Sequence, residues 1–142
     1  MKTILGYDYL WNNIRVKGGA YGCMSNFSRD GETFFVSYRD PKLKETYDIF
    51  EAAADYIENF DVSEREMTKF VIGTMSSVDA PLTPVGKGSR DMIAFITHVS
   101  HEDVQKSRNE IIDCNKEDIR ALAPLIKNAL AGGSICVIGN EA

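Results

Sequence analysis

The sequence predicts an α+β fold, a mostly antiparallel sheet with helices packed on one face. Three observations carry this expectation. Two aromatic, β-prone segments, AYGCMSNFS and ETFFVSYRD, flank SRDGE, whose Asp30-Gly31 pair suits a tight hairpin turn. A long run of segments with helical periodicity and recognisable caps follows. Two adjacent strands in a hairpin also exclude a simple parallel doubly wound sheet, in which strands alternate with helices.

Taken in order, residues 5–14 read as a short helix, with Leu5, Tyr9, Leu10 and Ile14 on one face. Gly18 and Gly19 stop it, one of them at positive φ. Residues 20–28 and 32–39 are the two strands. Asp40-Pro41 is a helix start, Asp40 capping and Pro41 in the first helical position. Leu43, Tyr47, Phe50, Ala54 and Ile57 then form one stripe, which predicts a single long helix over 41–60. Ser63 and Glu66 make a capping box for a helix running to about Ser77. VDAPLTPVGKGS reads as a loop, followed by a helix over 85–97. Ser100 caps the next helix, with acidic residues in its first turn. NKEDIRALAPLIKNALAG is a last helix, in which Pro124 forces a kink or a late start, and SICVIG is a closing strand. Three strands are few for this much helix, and the chain opens abruptly on a helix. Both point to a truncated domain.

The 142 residues suit one domain, 1–142, and 44% hydrophobic residues can fill a core without disulfides. Sixteen basic against 21 acidic side chains give a net charge of -5. With no local basic cluster to offset it, this argues against a nucleic-acid partner. The apolar run in MKTILGYDYLWNN is broken by Gly6 and Asp8, too soon for a signal peptide or a membrane span. Cys23, Cys114 and Cys136 are odd in number, scattered and without a C-x-x-C, as expected of reduced thiols in a cytoplasmic protein.

Two suggestive motifs fail on geometry. HVSHE, from His98 to Glu102, differs from the inverted zinc-peptidase order H-x-x-E-H by exchange of its last two letters. Its histidines sit at i, i+3 across an expected helix cap, and the chain has no others, so no zinc site is expected here. PVGKGS lacks the Ser or Thr directly after the lysine that a phosphate loop needs, and reads as a flexible linker. No histidine lies near Cys23 in sequence to activate it as a nucleophile.

IRVKGGAYG, residues 14–22, is more informative. Taken alone it is a helix stop before an edge strand. Together, however, LW..IR.KGGAYG, the hairpin, SYRDP and DAPLTP resemble the final domain of insulinase-like (pitrilysin-type) zinc metallopeptidases, nearest the presequence-protease and falcilysin-like branch. The resemblance covers essentially the whole chain. It implies a LuxS/MPP-like metallohydrolase type of fold, forming most of the fourth domain of a long peptidase that closes around a peptide. Zinc would be held by another domain, so this chain has no catalytic or metal residue of its own and is inactive alone. The family pattern R-x-x-G-G-x-Y matches Arg15 and Tyr21, and implies that they contact the substrate backbone near the scissile bond. Asp40 is expected to act only as a cap, and Arg39 to pair with an acidic neighbour. The implied partners are a peptide substrate and the other domains of the peptidase, with no nucleic acid or membrane, and a possible dimer of the isolated fragment. Two other readings stay open. One is a non-catalytic peptide- or partner-binding scaffold of the same fold. The other is a free-standing small protein that binds a peptide or partner at its sheet edge.

Overall fold

The computed structural model describes residues 1–28 and 31–139. Asp30 of the predicted hairpin turn lies outside the described residues; its neighbour Gly31 has φ +90°. The chain packs as two compact units, Met1–Phe60 with Glu117–Ala142, and Asp61–Lys116.

The first unit holds the sheet. Strand β1 (Gly22–Phe27) pairs antiparallel with β2 (Thr33–Tyr38), Gly22 opposite Tyr38 and Phe27 opposite Thr33. Side chains alternate across the pleat. Ser25, Phe27 and Phe35 face inward, and the Phe35 ring meets Phe50 of α2 (Leu43–Glu51) at a tilt of 44°, centres 5.5 Å apart. Met24, Phe34, Val36 and Tyr38 lie exposed on the other side. Helices therefore cover one face of an antiparallel sheet, as predicted. Among the described residues the sheet has two strands. The predicted closing strand at SICVIG is a correction: residues 134–139 run alongside β2 without ladder hydrogen bonds, and Ile135 and Ile138 are exposed. β-propensity says only that those residues would suit a pleated surface, and no strand pairs with them here.

The first helix is longer than predicted and differently wound. A short α1 (Lys2–Ile4) runs directly into a π-helix over Leu5–Lys17. Its buried residues are Leu5, Leu10 and Ile14, at intervals of five and four. Those intervals match a helix of roughly 4.4 residues per turn, whose bonds close at i+5, better than an α-helix. The predicted fourth member of the face, Tyr9, is only half-buried. It reaches α2, where its hydroxyl donates to the Ile49 carbonyl at 2.8 Å.

The single helix predicted over 41–60 divides into α2 and α3 (Ala53–Glu58) at Ala52, where ψ tightens to -2°. It also starts later than predicted. Asp40 does not cap it in the usual sense. Its carboxylate accepts from the Lys42 N–H at 2.9 Å and the Thr46 hydroxyl at 2.6 Å, so it braces the turn before the first helical residue, Leu43. Phe50, Ala54 and Ile57 of the predicted stripe are buried, whereas Leu43 is exposed. The last predicted helix is also divided, into α7 (Lys116–Arg120) and α8 (Ala123–Ala131), with Pro124 in the first turn of α8 where its missing N–H costs nothing. α8 packs on α3, and the Arg120 Nε donates to the Phe60 carbonyl at 2.7 Å.

The second unit is three helices, α4 (Glu64–Val78), α5 (Pro84–Ile96) and α6 (His101–Ile112). α4 carries the expected capping box between Ser63 and Glu66, and α6 has its counterpart between Ser100 and Asp103. PVGKGS is not a linker. Thr83 caps α5 by accepting from the Gly86 N–H at 3.1 Å, and Pro84 begins the helix, so PVGKGS forms its first turns. α4 packs against α6, with Arg108 bonded to Asp79 and Lys116 to Asp61 at 2.6 Å.

Candidate functional site

KGG links the π-helix to β1, and its two glycines serve different ends. At Gly18 a Cβ would meet the backbone oxygen of Ile14, which no side-chain rotation could relieve. Gly19 has φ +87°, the left-handed region that L side chains rarely adopt. The Gly19 N–H returns to the Arg15 carbonyl at 3.0 Å, and the Ala20 N–H to that of Ile14 at 3.1 Å. The chain reverses within three residues, and Tyr21 emerges at a bend just before β1, not inside a strand.

This reversal brings the two residues singled out by sequence together. The Arg15 guanidinium lies 4.1 Å from the Trp11 ring centre and 6.0 Å from that of Tyr21. Both Tyr21 and Arg15 are exposed, Tyr21 by 58%. Tyr38 meets the Tyr21 ring edge-on at 5.5 Å. Gly22 is required beneath that pair, since a Cβ there would fall on the Tyr38 ring. Arg39, expected to pair with an acid, instead holds its guanidinium 5.3 Å from the Tyr21 ring centre. It does so at φ +49°, the left-handed region, with its carbonyl accepting from the Tyr21 N–H at 3.3 Å. Neither Arg15 nor Arg39 forms an ion pair among the described residues. Sequence reasoning missed Arg39. The hairpin register, one step beyond Gly22 opposite Tyr38, sets Arg39 across from Tyr21, and that pairing is the signal that could have found it.

Other candidates are weaker. Cys23 is half-buried, and burial pushes its thiol pKa up against the lowering effect of Arg15, the reverse of an activated nucleophile. His98 and His101 are both exposed, one after the end of α5 and the other opening α6. Among the described residues, no group of three His, Cys, Asp or Glu side chains could hold a metal ion, so the residues present do not fit a zinc site. No described helix is long and apolar enough to cross a membrane. A cleft of about 310 Å³ runs along β2, between Phe34, Val36, Leu43 and Tyr47 on one side and Ile135 and Val137 on the other.

An antiparallel sheet with helices on one face, and an arginine and a tyrosine delivered to one surface by a double-glycine reversal, define the class to which comparison adds the family. The family model of the PreP C-terminal domain matches residues 1–140, and the chain belongs to that family. It is 46% identical to Protein HypA of Clostridium perfringens over 99% of this chain and 14% of that protein. It is 36% identical to presequence protease 1, chloroplastic/mitochondrial, of Arabidopsis thaliana over 83% of this chain and 11% of that protein. With the mitochondrial presequence protease of Emericella nidulans it shares 30% identity over 99% of this chain and 13% of that protein. The chain thus spans about one-seventh or less of the length of these relatives. It is a peptidase-associated C-terminal domain.

Proposed function

We propose that this domain binds the substrate of a zinc-dependent peptidase, with Arg15 and Tyr21 contacting the peptide backbone beside the scissile bond. The observation that supports this reading most is the convergence of Arg15 and Tyr21 across the glycine reversal, both exposed and with no ion pair to Arg15 among the described residues. Hydrolysis of an amide puts negative charge on the carbonyl oxygen. A guanidinium and a phenol are donors suited to that oxygen or to its neighbour in the substrate. Trp11 holds the arginine by its charge, which leaves the N–H fork available. Zinc would belong to another domain of the longer peptidase, as would the rest of the chamber. A cytoplasmic location is part of the same proposal.

The test is steady-state kinetics on the complete peptidase. Tyr21→Phe removes one hydroxyl and keeps the ring, and should lower kcat and kcat/KM together, by on the order of a hundredfold if the donor acts in the transition state. Arg15→Ala should do the same, while zinc content and Tm stay as in the wild type. Lys17, whose ammonium donates to Asn13 at 3.1 Å, is the control, and Lys17→Ala should leave turnover unchanged. Wild-type rates in both Tyr21→Phe and Arg15→Ala would end this reading. The cleft along β2 favours a second one, in which an extended peptide adds to the free strand edge. Peptide binding that survives Arg15→Ala and Tyr21→Phe but not Val36→Lys would support it.

A further inference from the structure

We infer that Arg39 is a specificity residue that receives a carboxylate of the bound peptide, next to the backbone contacts of Arg15 and Tyr21. This rests on the reading of those two residues as peptide contacts.

Three observations converge on it. Two guanidiniums, Arg15 and Arg39, lie within 6.0 Å of one phenol ring centre, and neither has an ion-pair partner among the described residues. In a chain of net charge -5 this is a local positive spot against the overall sign. Next, Arg39 is held in place at a cost. A non-glycine residue in the left-handed region is disfavoured, and such strain persists only where the surroundings impose it. Here they do: the Arg39 carbonyl is tied to the Tyr21 N–H, and Asp40 is tied to the Lys42 N–H and the Thr46 hydroxyl. Last, the obvious internal anion is already taken. Hydrogen bonds from Thr46, Lys42 and Ser37 hold the Asp40 carboxyl below its ordinary pKa despite partial burial, so it stays charged and turned to its own helix start.

A contact with an aromatic face uses an arginine's charge and not its donors. The planar N–H fork of Arg39 remains available and matches a carboxylate in two-pronged geometry. A peptide offers that group either as its C-terminal carboxylate or as an Asp or Glu side chain.

Trp11 is the chain's one tryptophan and lies under Arg15, so its fluorescence reports occupancy directly. The probes are acetyl-tetra-alanine as the free acid, the same peptide as its C-terminal amide, and the amide with its third residue changed to Asp or to Asn. The 142-residue chain is titrated with each at low salt. A charge-assisted contact at an exposed site should make the acid bind about three- to tenfold more tightly than the amide, an advantage that shrinks as salt is raised. If a side-chain carboxylate is the natural ligand, the Asp amide gains over the Asn amide and the terminal acid does not. Arg39→Gln should abolish the preference while leaving amide binding and Tm unchanged, and Arg39→Lys should restore part of it. A purely structural role for Arg39 would lower Tm and weaken acid and amide alike. Equal binding of acid and amide, and of Asp and Asn, would overturn the carboxylate assignment while the peptide-contact reading stood. Binding of none of the four would overturn both.

Discussion

The two units differ in what specifies them. Every buried hydrophobic residue, from Ile4 and Leu10 to Ile57 and Ile126, lies in the first unit, as do the buried polar residues Ser25 and Thr46. The second unit buries no residue in α4, α5 or α6, yet each of these helices has a side-chain cap, two of them full capping boxes. One unit is held by contacts between residues distant in sequence, the other largely by bonds closed within four residues. A domain that presents a site needs the first kind of order where the site is. Accordingly Arg15, Tyr21 and Arg39 all stand on the unit with the core.

This contrast can be broken at several levels. Leu10→Ala in the first unit should cost about 2–5 kcal/mol by chemical denaturation, because it leaves a cavity among Leu5, Ile14 and their neighbours. The matching change in the second unit, Ile93→Ala on exposed α5, should stay within about 0.5 kcal/mol. A cost above 2 kcal/mol for Ile93→Ala would show that α5 is covered after all. Next in size is Tyr56→Phe. Tyr56 stacks on Tyr9 at 4.5 Å and donates to Asp8 at 2.5 Å, so loss of its hydroxyl should cost about 1–2 kcal/mol. Ser63→Ala should cost about 1 kcal/mol or less and show as lost α4 helicity, with the chemical shifts of the first unit unchanged.

The effects of pH fall at opposite ends of the scale. Burial, then the hydrogen bond to Asp8 and its charge, raises the Tyr56 pKa well above its ordinary value near 10. The unfolded chain ionises first, so this contribution to stability is whole below about pH 10 and lost as pH climbs through the raised value. Hydrogen bonds from Ser63 hold the Glu66 carboxyl below its ordinary pKa. Its contribution is whole above the unfolded value near 4.3 and is lost as pH falls through the lowered one. Amide exchange should therefore show base opening the first unit and acid fraying α4 in the second. A Glu66 carboxyl titration unaltered by Ser63→Ala would remove the acid arm.

What could be read from sequence follows the same division. The box at Ser63, the cap at Ser100 and the stop at Gly18 and Gly19 were legible, because each is a local bond or a local φ. The hairpin was legible from two β-prone runs about a turn signal. Where the outcome depends on distant partners, local pattern fell short. SICVIG has strand composition without a paired strand, Leu43 belongs to a stripe without being covered, and PVGKGS has loop composition inside a helix that Thr83 caps. At the site, Arg15 and Tyr21 could be named because they share one short motif. Arg39 was not named, because it lies 18 positions from Tyr21 and outside that motif, and it is the hairpin register, continued one step beyond Gly22 opposite Tyr38, that sets the two across from each other.

The winding of the first helix sets the phase of Arg15. An α-helix turns about 100° per residue and a π-helix roughly 82°, so between Leu5 and Arg15 the two drift apart by roughly half a revolution. With Leu5 anchored in the core, α winding would carry Arg15 toward the opposite side of the cylinder, away from Tyr21. Side-chain bonds from Asn12 to Asp8 and from Asn13 to the Tyr9 carbonyl lie along this stretch. A chain with α winding would keep both named contact residues yet turn Arg15 away from Tyr21 and Ile14 out of the core together, so one pitch both buries the helix and aims its arginine.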